Sequence, residues 1–140
     1  MICYECEISR EESKDISAIY EVALCQTHRI HIKKILEKHH LDESVAQLYF
    51  ALKKQGLKPL LGWWNGQRYV PLSLSRQRIN LEILDIENAS HKKAFTSREN
   101  SIYDHQQNFI HLQIPKAMVT YQLNEMASII YDLHEGLKHY

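Results

Sequence analysis

The sequence predicts a mixed α/β chain: a small N-terminal module, then a sheet of about four strands flanked by helices. Three observations predict it. Cysteines and a histidine fall into two close pairs within the first 28 residues. Apolar residues recur at helical spacing on both sides of a central stretch of short apolar runs. Between two of those runs stands Asn65-Gly66, the strongest short hairpin signal in the chain.

The pairs read C-x2-C at Cys3 and Cys6, eighteen intervening residues, then C-x2-H at Cys25 and His28, and they use every cysteine present. Two pairs of soft or borderline ligands, set apart by enough chain for a hairpin, suit a four-coordinate structural zinc. The competing readings are three thiols with a surface histidine, or a disulfide that leaves one thiol over. No apolar run or basic leader follows Met1, so a cytoplasmic, reducing setting is expected, in which cysteines serve as ligands. Ile19, Val22 and Leu24 form a short apolar strand, and residues 29–36 carry a helical pattern. A knuckle, a hairpin and a ligand pair opening a helix resemble a treble-clef zinc finger. That resemblance puts Cys25 and His28 on the first helical turn. Four protein ligands leave no position for water, so the metal is expected to be structural. Residues 1–28 hold too little apolar material for a core, and the metal is expected to supply their folding free energy.

At 140 residues and 44% apolar content, the chain suits a zinc module over residues 1–40 and a compact domain over 41–140. No apolar stretch approaches the roughly 20 residues of a membrane helix, so no membrane partner is expected. The net charge of zero gives no global pull toward nucleic acid. Charge is unevenly spread, however. Residues 1–28 hold two basic and six acidic side chains, and residues 29–60 hold seven and three. Lys33, Lys34, Lys38, Lys53, Lys54 and Lys58 are therefore either a solvated helix face or a phosphate-contacting surface.

Asp42 is a good N-cap for a helix running to about Gln55 with Val45, Leu48, Tyr49 and Leu52 on one face, and Gly56 stands where a left-handed stop belongs. Residues 57–64 and 67–74 read as the two arms of the hairpin, and Arg76-Gln77-Arg78 as a polar bend. Residues 79–86 form the most apolar strand, expected to be central. A helix is expected within 88–107, anchored by Phe95, Ile102 and Tyr103, then a strand over 109–114 stopped by Pro115. Val119, Leu123, Met126, Ile130, Leu133 and Leu137 make an apolar stripe on a last helix over 117–138. It covers a sheet face or pairs with a partner helix.

Helix, three-stranded meander, helix, strand, helix is the core order of the restriction-endonuclease-like fold. From about Asp42 to Leu137 the chain resembles the PD-(D/E)xK nuclease superfamily, and most its small very-short-patch-repair-like branch. Residues 47–57 resemble the opening helix. The Asn65-Gly66 hairpin followed by Tyr69-Val70 resembles the strand carrying the first catalytic acid. Residues 79–84 resemble the strand carrying the E-x-K or E-x-D pair, with His91 near a histidine frequent in these branches. Phe109 to Ile114 resembles the later strand that closes the core. The resemblance implies two carboxylates on adjacent strands holding magnesium, which polarises a phosphate and lowers the pKa of an attacking water, with a lysine helping to position it. At those positions stand Pro71, Glu82 and Leu84, and Val45 or Ala46 where the opening helix often has glutamate. Only Glu82 matches. Asp85 falls on the opposite face unless a bulge intervenes. Glu82 is expected to be a partly buried acid paired with Arg68, Arg76 or Arg78, or else a residual metal ligand or an exposed acid with no role. Glu43, Asp104, Lys92 and Lys93 are the groups able to converge on it if the catalytic residues have migrated.

Trp63-Trp64 is expected to turn one ring inward and one outward, the exposed ring near Arg68 being able to stack on a base. The other histidines show no second metal spacing, and four glycines leave no phosphate-binding loop. Three functions remain open. One is a zinc-containing binding protein with a catalytically degenerate nuclease-like core, contacting DNA or RNA through Lys33, Lys34, Arg68, Arg76 and Arg78. The second is an active magnesium-dependent nuclease with migrated residues. The third is an adaptor that binds a protein partner or forms a homodimer.

Overall fold

A computed structural model describes residue 5 and residues 16–19, 22–85 and 91–138; of residues 16–19, 22, 23, 25, 91 and 92 it describes the backbone alone. Strands β1 (Ile16–Ile19) and β2 (Val22–Cys25) form an antiparallel hairpin, and α1 (Gln26–Lys38) follows directly. Cys25 thus ends a strand, whereas His28 stands in the first turn of α1. Cys3 and Cys6 lie outside the described residues.

Helix α2 (Glu43–Lys54) starts where Asp42 caps it: Asp42 Oδ1 accepts from Ser44 N at 2.9 Å. It ends in a Schellman arrangement, with Leu57 N donating to Leu52 O and Gly56 N to Lys53 O, and Gly56 at φ 91°. The anticipated stripe is buried at Val45, Leu48 and Leu52, with Tyr49 half-buried. Ala46 and Phe50 are fully buried as well, because α1 packs against α2: Leu24, Ile32, Leu36, Ala46 and Phe50 form one apolar cluster.

The main sheet joins β3 (Leu60–Trp64), β4 (Tyr69–Leu74), β5 (Ile79–Leu84) and β6 (Ile110–Pro115) in that order. The first three are an antiparallel meander, and β6 runs parallel to β5. A four-residue loop, 65–68, closes the β3–β4 hairpin: Asn65 N donates to Arg68 O, and Asn65 Oδ1 accepts from Gln67 N and Arg68 N. The return strand therefore starts at Tyr69. Helix α3 (His91–Gln106) makes the crossover from β5 to β6.

The last helix is two. Pro115 leads into α4 (Lys116–Tyr121), and α5 (Leu123–Leu137) follows after Gln122 at φ −138°, ψ 43°. Thr120 Oγ1 donates back to Lys116 O at 3.1 Å, a bond that bends helices. The stripe still covers the sheet. Val119, Met126 and Ile130 are buried with Leu72, Leu74, Ile79, Leu81 and Ile114, and Leu123, Leu133 and Leu137 pack around them. One sheet face is thus apolar, under α2, α4 and α5; the other meets α3.

Between Leu61 and Trp63 the alternation of β3 breaks. Leu61 packs into the apolar clusters, yet Trp63 meets Phe109 on the α3 side, ring centroids 5.7 Å apart. Gly62 lies between them at φ 64°, the left-handed region that glycine enters without strain. Trp64 remains 52% exposed beside Tyr69.

Candidate functional site

The α3-facing side of the sheet is polar by strand alternation. Asn80 and Glu82 on β5, and His111 and Gln113 on β6, occupy one face, opposite each other in the parallel register. Here the sheet opens. β4 pairs with β5 only over Leu72–Leu74 and Ile79–Leu81, while β3 follows β4 to Tyr69 and β6 follows β5 to Leu84. Pro71, with no N–H to offer, stands at the opening, so its interior strand is locally an edge. Glu82 stands at the same opening on the other strand.

Helix α3 lays Ser97 and Asp104, seven residues apart and both buried, over this face. Arg68 reaches in from the hairpin loop. Its Nη1 donates to Asp104 Oδ1 at 3.1 Å and its Nη2 to Asp104 Oδ2 at 2.9 Å, a bidentate pair. His111 bridges two acids: Nδ1 lies 2.7 Å from Asp104 Oδ2 and Nε2 2.7 Å from Glu82 Oε2. Ser97 Oγ donates to Glu82 Oε2 at 2.9 Å, and Gln113 Nε2 donates to Ser97 Oγ at 2.6 Å.

The charges balance within this network. Burial opposes ionisation of Asp104, but hydrogen bonds from Arg68 and His111, with the Asn80 amide beside them, outweigh it and hold the carboxyl below the usual range. The Asn80 amide contributes by proximity, since its Nδ2 misses good hydrogen-bond geometry. Burial likewise opposes ionisation of Glu82, and hydrogen bonds from His111 and Ser97 win. Burial disfavours a charged His111, yet the two carboxylates raise its pKa above the ordinary value. Only the imidazolium can donate to both acids at once, so two anions meet two cations.

The expected residues separate accordingly. Glu82 is paired with His111 and Ser97 rather than with an arginine; Arg68 acts on it through its charge. Of the groups able to converge on Glu82, Asp104 does, through His111. Glu43 lies on α2, across the sheet, and Lys93 is exposed on α3. The side chains of His91 and Lys92 lie outside the described residues. Asp85 sits 4.0 Å from Lys116. Arg76 and Arg78 are exposed at the β4–β5 turn, and Lys33 and Lys34 on α1. Lys53 pairs with Glu5 at 2.6 Å. Phe95 and Ile102, expected to anchor α3, are instead 64% and 46% exposed.

His111, Ser97 and Gln113 escaped the sequence reading. Their signal was present: polar residues two apart in both β5 and β6, and two small polar residues seven apart in α3, mark facing polar surfaces. Among the described residues, no group of three or more His, Cys, Asp or Glu is arranged to hold a metal ion. No described helix is long and apolar enough to cross a membrane. No protein-family model, curated protein or solved structure matches the chain.

Proposed function

We propose that this protein is a zinc-containing nucleic-acid-binding protein built on a nuclease-like core that does not cleave. The element order α2, β3–β5, α3, β6 and the opening between Pro71 and Glu82 support the nuclease-like reading. One observation carries the loss of cleavage. Among the described residues one acid stands at the opening, and it is engaged: Glu82 Oε2 accepts from both His111 and Ser97, and its neighbours are Pro71 and Leu84. Magnesium does not suit this donor set, because one committed carboxylate with an imidazolium against it supplies neither the charge nor the oxygens such an ion needs.

Zinc belongs to this reading through three thiols and one imidazole. Cys25 closes β2, and His28 follows in the first turn of α1. Four such ligands would fasten the N-terminal knuckle to that junction.

Nucleic-acid contact is supported by a surface where α1 meets the β3–β4 hairpin. Trp64 and Tyr69 are 52% and 47% exposed with ring centroids 5.0 Å apart. Lys38 Nζ lies 5.9 Å from the Tyr69 ring centroid, and the His39 ring packs against the same ring at a tilt of 40°, centroids 4.3 Å apart. Lys34 precedes Lys38 by one turn. Exposed aromatics edged by cations suit an unpaired strand, whose bases stack on any flat ring. The test is fluorescence anisotropy with a labelled single strand at graded salt, with cleavage scored alongside in magnesium and manganese. Binding that weakens with salt and with Trp64→Ala or Lys38→Gln, without cleavage, is expected. Undetectable binding at low salt overturns the nucleic-acid part. Metal-dependent cleavage lost in Glu82→Ala overturns the inert core.

A protein partner is the second reading. Phe95 and Ile102, seven residues apart on α3, leave an apolar stripe facing outward. A chain that runs as a dimer and ignores nucleic acid favours it.

A further inference from the structure

A cavity of about 400 Å³ lies beside the charged network, between the end of α3, the start of β5 and the β3–β4 hairpin. Its size is that of a small-ligand site. Trp63, Tyr103 and Phe109 give it flat aromatic walls. One buried amide nitrogen in a lining residue, Asn65 Nδ2, has no hydrogen-bond partner. That amide is not free to turn over. Asn65 Oδ1 accepts two loop N–H groups. The oxygen is committed and the donor is left over. Buried donors without acceptors are uncommon and costly.

Arg78 also lines the cavity and is exposed. Its backbone is pinned in the left-handed region at φ 57°, its N–H donating to Ser75 O and its carbonyl accepting from Ile110 N. The guanidinium therefore hangs from a fixed point. The two carboxylates nearby are already neutralised by Arg68 and His111, so little repulsion meets an anion there.

We propose that this cavity binds one nucleotide. The base lies against the aromatic walls, an acceptor atom on it meets the Asn65 amide donor, and its phosphate meets Arg78. The inference deepens the reading above, since the nucleotide would be one unstacked member of the bound strand, but its test stands apart from that reading.

The test is calorimetric titration of the full chain with the four 5′-mononucleotides and with inorganic phosphate, followed by a single strand with and without one abasic position. Asn65→Asp keeps the oxygen that accepts the loop N–H groups and removes the donor; Arg78→Gln alters an exposed side chain. Neither change should unfold the protein. At least one mononucleotide should bind with Kd of about 1 mM or tighter, each variant should weaken it about tenfold, and phosphate alone should not bind comparably. No mononucleotide binding at about 10 mM, or binding indifferent to both variants, overturns the proposal. Mononucleotide binding without strand binding upholds the cavity and removes the reading above. Strand binding indifferent to the abasic position and to both variants does the reverse.

Discussion

Glu82 and His111 are joined across the parallel strands β5 and β6, Oε2 to Nε2, at 2.7 Å. They are not direct cross-strand partners: Glu82 lies opposite Gln113, and His111 opposite Asn80. The diagonal lets the imidazole reach Glu82 with one nitrogen and Asp104 on α3 with the other. The bond to Asp104 fastens the sheet to its covering helix, and the bond to Glu82 occupies the one acid at the opening among the described residues.

Stability should fall as pH rises through the titration of His111. Its pKa is raised in the folded state, so its contribution is fully present below the unfolded value of about 6.5 and is lost as pH climbs through the folded value. Glu82 and Asp104 are lowered, so theirs is present above about 4 and is lost in acid. Urea unfolding between pH 4 and 9 should show a maximum between those limits. In His111→Gln the alkaline decline should flatten, and an unchanged profile rules out a charged His111.

Removing His111 altogether should be expensive. His111→Ala leaves two carboxylates facing a shared gap, one of them buried, and a loss of about 3–5 kcal/mol is expected by chemical denaturation. Glu82→Gln should cost less, since Glu82 is the more exposed partner.

Arg68 should not tolerate lysine. A point ammonium cannot reproduce the two parallel bonds to Asp104. Arg68→Lys should destabilise by about 1–2 kcal/mol. In a double-mutant cycle with Asp104→Asn, a coupling near zero contradicts the bidentate pair.

Gly62 and Gly136 should respond oppositely to alanine. A Cβ on Gly62 would stand 2.8 Å from His39 Cδ2, at φ 64°. Gly62→Ala should cost about 1–3 kcal/mol, and it should also disturb the His39–Tyr69 ring contact. A Cβ on Gly136, in α5, meets nothing within 4 Å, so Gly136→Ala should raise stability by about 0.5–1 kcal/mol. Thermal melts of both variants decide it.

Zinc should be present at about one per chain by elemental analysis if the four ligands act together. Cys25→Ser should lower that content. Because Leu24 shares a core with Phe50 of α2, chelation should also lower Tm, by more than about 5 °C. Full stability without metal removes the zinc reading.

The sequence by itself determined the elements whose causes are local. The Asp42 cap, the Gly56 stop, the Asn65-Gly66 hairpin, the central place of β5 and the stripe from Val119 to Leu137 depend on residues within one turn or one strand of each other. Only tertiary structure decided which polar residues meet. Whether His111 touches Glu82 depends on the β5–β6 register, and whether Asp104 reaches both depends on how α3 is rotated over the sheet. Apolar periodicity pointed that rotation the wrong way, placing Phe95 and Ile102 inward. The side α3 buries is set by Ser97 and Asp104, because a carboxylate matched to Arg68 and His111 can be buried where an apolar side chain would strand the polar groups on the sheet.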